Sequence, residues 1–308
     1  MKKDMLKLND YSKEEILEIL DLADELKSKN KNGVEHHLLK GKTLAMIFEK
    51  SSTRTRVSFE TGMYQLGGNA MFLSSKDLQL GRGEPVKDTA RVLERYVDGI
   101  MIRTYKQSYV EELAKYANIP IINGLTDDEH PCQVLADLMT IREYKKSFDG
   151  LKVCFIGDGN NMANTLMVGA LKMDMDISIA SPKGYQPKDF IMDGVKLIEA
   201  ESKGKVTIID SPIDAIKNAD VVITDVWASM GQEGEQQERM KAFAGYQVNA
   251  ETMSYAKPDA IVLHCLPAHR EEEITAEILE LHKDEIFEEA ENRLHAQKAL
   301  MVKLIGNK

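Results

Sequence analysis

The segment FEKSSTRTRVSFETG (48–62) crowds Ser51, Ser52, Thr53 and Thr55 against Arg54 and Arg56. Phe59, Met63 and Leu66 recur at helical spacing and Gly67-Gly68 ends the pattern, so Ser51–Thr55 fall in the turn and first turn of a helix. Backbone N–H groups and the positive end of the helix macrodipole point outward there, which suits a bound phosphate or carboxylate. A single Ser or Thr would serve as an N-cap; four hydroxyls beside two guanidinium groups supply more donors than a cap needs. Arg103 directly follows the apolar run 99–102. Taken alone it is a strand-end charge facing water; beside the first cluster it is a second guanidinium for the same anion.

Other stretches carry residues of similar promise. In HPCQ, Pro131 suits the first helical position, which sets His130 at or near an N-cap and Gln133 in the first turn. His130 either caps the helix or, kept neutral by its terminus, donates one hydrogen bond to a ligand oxygen. Gln133 is either exposed or a ligand-facing amide. FIGDGNNMAN offers Gly157 and Gly159 of a dinucleotide fingerprint, but Met162 stands at the third position and the next strand ends without an acidic residue. NAD binding is therefore not expected. Asn160 and Asn161 cap a helix or present an amide to a substrate carboxylate. TDVWASMG places Asp225 after an apolar strand, with Ser229 and Met230 close behind: a grip for an ammonium group, or a turn aspartate. VLHCLPAHR ends the most apolar strand on Cys265, by default a buried inert thiol. His264, Cys265 and His269 are not expected to bind a metal, because adjacent strand residues point to opposite faces. Arg293, in ENRLHAQ, reads as a surface charge on the last helix.

An alternation of short apolar and longer amphipathic runs positions these residues. Strands are expected at 43–48, 69–73, 99–102, 119–122, 151–156, 176–180, 205–209, 221–224 and 260–263, with helical segments between them. Ser12, with Glu15 three residues on, opens the first helix as a capping box. This is an α/β pattern of two parallel sheets, each flanked by helices, with a break near 145–150 and a last helix over roughly 285–304. Parallel sheets bind ligands beyond their strands' carboxyl ends. The polar clusters all follow strands, which predicts two domains with the active site in the cleft between them. The long polar stretches 74–87 and 228–240 are loops of the kind that carry function.

At 308 residues the chain has room for two domains, and 43% apolar with 29% charged residues is ordinary for a globular protein. A formal net charge of −10 argues against a general nucleic-acid surface, so a local basic cluster points to a small anion instead. Cys132, Cys154 and Cys265 are an odd set without a CxxC pair, which argues against a disulfide framework or structural zinc. MKKDMLKLNDYS has no signal-peptide core, and no apolar run approaches the ~18 residues of a membrane span. A cytoplasmic protein is expected, with no membrane partner.

SSTRTR, MIRT, HPCQ, GDGNN, DVWASMG and HCLPAHR occur in the order and approximate spacing of the transcarbamoylases. Over essentially the whole chain the sequence most resembles the ornithine carbamoyltransferases. The STRTR run is shared across transcarbamoylases, whereas D-x-x-x-S-M-G (225–231) and HCLP (264–267) mark the ornithine branch. One departure is Glu271, where relatives commonly have glycine. The resemblance implies that Ser52, Thr53, Arg54, Thr55 and Arg103 hold the phosphate of carbamoyl phosphate, with Arg293 completing the anion site. It implies further contacts to carbamoyl phosphate from His130, Pro131, Cys132, Gln133, Cys265 and Leu266, and from Gln79 reaching into a neighbouring subunit of a homotrimer or an assembly of trimers. Asn161, Asp225, Ser229 and Met230 would bind ornithine. Arg54, Arg103, His130, Asp225 and Cys265 would be catalytic, with neither cofactor nor metal. Residues 1–145, joined by the C-terminal helix 285–308, would form the carbamoyl phosphate domain and 150–284 the ornithine domain. The implied reaction carbamoylates the δ-amine of L-ornithine to citrulline; putrescine or another amine is the alternative acceptor.

Overall fold

The computed structural model of the chain describes residues 2–229 and 233–306. Two compact units divide it: Met1–Met139 with Glu291–Lys308, and Thr140–Ala290. In the first unit β1 (Thr43–Phe48), β2 (Asn69–Ser74), β3 (Gly99–Arg103) and β4 (Ile121–Leu125) form a parallel sheet in the order β2-β1-β3-β4. In the second, β5 (Lys152–Ile156), β6 (Asp176–Ala180), β7 (Val206–Ile209), β8 (Val221–Thr224) and β9 (Ile261–His264) form another, in the order β7-β6-β5-β8-β9. The helices are α1 (Lys13–Lys31), α2 (Thr53–Gln65), α3 (Val86–Leu93), α4 (Gln107–Tyr116), α5 (Pro131–Lys145), α6 (Asn161–Lys172), α7 (Asp189–Glu199), α8 (Pro212–Ile216), α9 (Gln236–Ala242), α10 (Ala250–Met253), α11 (Ala276–Leu281) and α12 (Lys283–Ile305). The unit boundaries fall inside α5 and α12.

Strand alternation builds each core. Ala45 and Ile47 lie in register with Ile100 and Ile102, and this face is buried with Val86 and Ala90 of α3 and Val110 and Leu113 of α4. Leu44, Met46 and Met101, of the opposite parity, are equally buried. A Cβ on Gly99 would lie 2.9 Å from Cδ1 of Ile305, so the end of α12 packs on that second face. In the second unit Cys154, Val222 and Val262 share a register row and bury against Ala215 and Ile216 of α8 and Ile278 of α11. Each such buried aliphatic side chain contributes about 1.5–3 kcal/mol of transfer free energy.

The expected strands are all present, with ends that shift by up to three residues, and the shifts in β4 and β9 bear on the site. β4 begins at Ile121, not 119, because Pro120 has no N–H to give a ladder; its carbonyl accepts from Ile100 instead. It also runs on through Asn123-Gly124-Leu125, and Gly124 is required there: a Cβ would come within 2.6 Å of the Met101 sulfur. β9 extends to His264, so the HCLPAHR stretch starts inside a strand. Ser12 forms the expected capping box with Glu15.

Strand order locates the sites. In the first sheet the winding reverses between β1 and β3, in the second between β5 and β8. Such switch points leave a crevice at the carboxyl ends of the strands, where ligands bind in open α/β sheets. Ser51–Arg54 follow β1, and β3 ends on Arg103. Asp158–Asn161 follow β5, and Asp225–Ser229 follow β8.

Candidate active site

Ser52 is the N-cap of α2; its side chain accepts the Thr55 backbone N–H at 3.2 Å. Replacing such a cap with Ala costs about 1 kcal/mol. Thr53 and Arg54 then occupy the first turn, whose N–H groups have no intrahelical acceptor. Thr55 is fully buried, and its hydroxyl is a hub. Arg103 donates to Oγ1 through Nη1 at 3.5 Å, Arg293 through Nη2 at 3.2 Å and Ser52 through its hydroxyl at 3.1 Å. Two buried guanidinium groups thus converge on one oxygen beside the positive end of a helix. Their mutual repulsion, on the order of 2 kcal/mol at an effective dielectric of about 20, is relieved when an anion enters.

Arg293, expected on the surface from sequence alone, is 3% exposed. Its Nη1 donates to Gln133 Oε1 at 2.6 Å, and the Gln133 amide nitrogen donates to Asp137 at 2.8 Å. Gln133 therefore orients an arginine rather than lying exposed. The His130 carbonyl accepts from the backbones of Gln133 and Val134, so His130 stands at the start of α5 with Pro131 in the first position. Burial, reinforced by the positive charges of Arg293, Arg103 and Arg54, holds the His130 imidazole well below the usual histidine pKa. It is neutral at pH 7 and able to donate one hydrogen bond to an oxygen that gains negative charge. Cys132 is different: burial pushes its pKa up to about 11, and the thiol donates to the Asn123 carbonyl at 3.4 Å, a structural contact. Thr53 is exposed, and Gln79 is exposed at the start of a short 3-10 helix (Gln79–Arg82). Neither is a hydrogen-bond partner of Thr55. A hollow lined by His36, His37, Tyr64, Gln65 and Gly67 lies at the opposite end of α2 and shares none of these residues.

The second unit gathers groups of another kind. Asp225 is 7% exposed; Oδ1 accepts the Val226 N–H at 2.8 Å and the Cys265 thiol at 3.0 Å. Burial raises its pKa, with His264 and the two hydrogen bonds pulling the other way. Cys265 is thus half-buried and hydrogen-bonded, not an inert core thiol. Asn160 takes the N-cap of α6, accepting from Met162 at 3.0 Å and donating to the Ser229 hydroxyl at 3.4 Å. That leaves Asn161, in the first helical turn, as the ligand-facing candidate of the pair. Met230 lies outside the described residues. Leu266 is half-buried, and its N–H donates to His264 Nδ1 at 2.9 Å.

Donor atoms of Asp225, His264 and Cys265 lie within 4.8 Å of one another. The alternation argument does not separate His264 from Cys265, because β9 ends between them. Both imidazole nitrogens are nevertheless engaged: Nδ1 by Leu266 and Nε2 by the buried Glu273 at 2.9 Å. His269 stands apart from this group, exposed, with Glu272 and Glu273.

Sequence reading missed Arg239. It is 6% exposed, and it donates to Asp158 at 2.7 Å and to the Trp227 carbonyl at 2.9 Å through Nη1, and to Glu235 at 3.0 Å through Nε. One cation thereby ties the turn after β5, which leads to Asn161, to the turn after β8, which carries Ser229. The only local signal was a basic residue in a long polar stretch. Gly159 has a reason unrelated to nucleotides: a Cβ there would lie 2.3 Å from the Pro187 nitrogen. Glu271 has φ 70°, a left-handed conformation that favours glycine.

Family models match both parts of the chain: the aspartate/ornithine carbamoyltransferase carbamoyl-P binding domain over residues 3–143, and the Asp/Orn binding domain over residues 149–304. The ornithine carbamoyltransferase of Syntrophotalea carbinolica is 58% identical over 306 residues, spanning 99% of this chain and 100% of its own. That of Bacillus subtilis is 60% identical over 299 residues, spanning 97% and 92%. The solved ornithine carbamoyltransferase from Pyrococcus furiosus matches at a TM-score of 0.95 and 51% identity, covering 100% of this chain and 98% of that one. With both models matched and full-length identity above half, the chain belongs to the ornithine carbamoyltransferase branch of the aspartate/ornithine carbamoyltransferase family.

Proposed function

We propose that the protein transfers the carbamoyl group of carbamoyl phosphate to the δ-amine of L-ornithine, giving L-citrulline and phosphate. The observation that carries this reading is the convergence of Arg103 and Arg293 on Thr55 at the amino end of α2. The first unit would bind carbamoyl phosphate: Ser52, Thr53, Arg54, Thr55, Arg103 and Arg293 hold the phosphate, and neutral His130 donates to the carbamoyl oxygen. The second would bind ornithine through Asn161, Asp225, Ser229 and Met230, with Cys265 and Leu266 beside the carbamoyl carbon.

The δ-amine attacks that carbon, a tetrahedral centre forms, and the C–O bond to phosphate breaks. An alkyl amine with a pKa near 10 is about 0.1% neutral at pH 7, so the ammonium must lose a proton before attack. Asp225, buried and held by the Cys265 thiol, positions the nitrogen; the ammonium releases its first proton to solvent before attack, and the nitrogen gives its second to the phosphate as the C–O bond breaks. Negative charge growing on the carbamoyl oxygen meets His130, and that on the leaving phosphate meets Arg54, Arg103 and Arg293. Alignment of two bound reactants supplies a further large share of the rate. The carbamoyl group arrives activated as a phosphoric anhydride, so the step draws on no cofactor.

A citrulline colour assay with purified protein tests the reading, run with ornithine and with putrescine. Citrulline formation with ornithine, and far slower carbamoylation of putrescine, is the expected result. Preference for putrescine would assign the alternative amine.

A homotrimer, or an assembly of trimers with Gln79 serving a neighbouring site, belongs to the same proposal. β2 is an edge strand that exposes Met71 and Phe72, and α2 exposes Val57 and Tyr64, an apolar surface of the kind that subunits cover. Sedimentation at a mass three times the 34.6 kDa of the chain, or at a whole multiple of that trimer mass, is expected. We also assign the protein to the cytoplasm and to arginine metabolism. Cys132, Cys154 and Cys265 are all thiols, which fits a reducing compartment. No described helix is long and apolar enough to cross a membrane.

A further inference from the structure

Gln297 sits one helical turn beyond Arg293 on α12 and is fully buried. Its amide faces Arg293 on one side and Ser58 of α2 on the other. With Nε2 donating to the Ser58 hydroxyl, Oε1 accepts from Arg293 Nη2 at 3.0 Å and from Nε at 3.1 Å. The network selects this orientation, because the reverse would set the amide N–H groups against the guanidinium donors. The remaining terminal nitrogen, Nη1, reaches Gln133, and Nη2 also reaches Thr55. The Gln297 oxygen thus grips the Nε–Nη2 edge of the guanidinium in a two-point contact, while Nη2 also reaches the Thr55 hub and Nη1 turns to Gln133.

Gln297 is neutral, and that matters. A carboxylate in its place would make a bidentate ion pair with the same two nitrogens and cancel the charge that draws in a phosphate. We propose that Gln297 is a positioning residue for carbamoyl phosphate, fixing the direction of Arg293 while leaving its full positive charge for the substrate. This rests on the assignment of Arg293 to the phosphate site.

Kinetics of Gln297→Glu and Gln297→Met, beside the unaltered protein, test it. Gln297→Glu is nearly isosteric and strengthens the local pairing, so its melting temperature should equal or exceed that of the parent. Its KM for carbamoyl phosphate should nonetheless rise by about tenfold to a hundredfold, with the KM for ornithine unchanged within about twofold. Gln297→Met keeps the volume and loses only the grip; its KM for carbamoyl phosphate should rise by roughly threefold to tenfold. A merely structural role predicts the opposite ranking, with Met lowering the melting temperature and Glu leaving KM untouched. That ranking, or equal loss of affinity for both substrates, would overturn the proposal. Absence of citrulline formation by the parent protein would instead overturn the functional reading beneath it.

Discussion

The two units solve the same topological problem with opposite chemistry. Each winds a parallel sheet out from a switch point, and each sets its polar residues on the strands flanking that point. At β1 and β3 the first unit gathers cations and hydroxyls: Arg54, Arg103 and Arg293 around Thr55 and the start of α2. At β5 and β8 the second gathers a carboxylate, a thiol and amides: Asp225, Cys265, Asn160 and Asn161. In the proposed reading, topology sets where each ligand sits and the turn residues select its charge. A dianion suits the first unit, an aminated amino acid the second.

Breaking each half separately tests this sorting. The largest effect is expected from Arg103→Ala, which removes one of the two buried guanidinium groups at the hub. kcat/KM for carbamoyl phosphate should fall by about a thousandfold while affinity for an ornithine analogue persists. Asp225→Asn should do the reverse, lowering kcat/KM for ornithine by about a hundredfold and sparing carbamoyl phosphate binding. Paired initial-rate measurements with each substrate varied check both, and loss on the wrong substrate would break the comparison.

A smaller, second-unit effect should follow from Asp158→Asn with Arg239→Gln, which removes the tie between the β5 and β8 turns without stranding a buried charge. The KM for ornithine should rise by roughly tenfold, with the KM for carbamoyl phosphate within twofold of the parent. An unchanged ornithine KM would show that the two turns hold their places without the brace.

The smallest effect concerns acid. Burial lowers the pKa of His295 to about 4 and holds His130 well below its ordinary value, both in the first unit. The unfolded chain binds these protons near pH 6.5 and the folded chain does not. Their contribution to stability is thus complete above about pH 6.5 and is lost as the pH falls from there toward 4. Thermal melts at pH 7 and pH 5 should show the drop, and His295→Gln should shrink it. A melting temperature unaffected by that change in pH would refute the assignment.

Much of this was legible in the sequence, for physical reasons that mark its limits. Short apolar runs marked every strand: the inner strands are buried on both sheet faces, and the edge strands β2 and β7, though partly exposed, are still mostly apolar in composition. The Ser51–Arg56 cluster was legible because a helix start concentrates its donors locally. Arg293 was named only through the family resemblance and Arg239 not at all, because their partners lie 238 and 81 residues away, at Thr55 and Asp158. A lone arginine on a helix carries no mark of what the fold brings against it. Gly159 illustrates the converse. It looked like part of a nucleotide fingerprint, and its requirement comes from the backbone of Gln186-Pro187 passing over it.

Calorimetric titration of phosphonoacetamide, a hydrolysis-proof mimic of carbamoyl phosphate, into the parent protein, Arg54→Ala and Asp225→Asn reaches the heart of the matter. The parent and the aspartate variant should bind it alike, and the arginine variant should show no measurable heat. Equal binding by all three, or loss confined to Asp225→Asn, would contradict the assignment of the phosphate to the first unit.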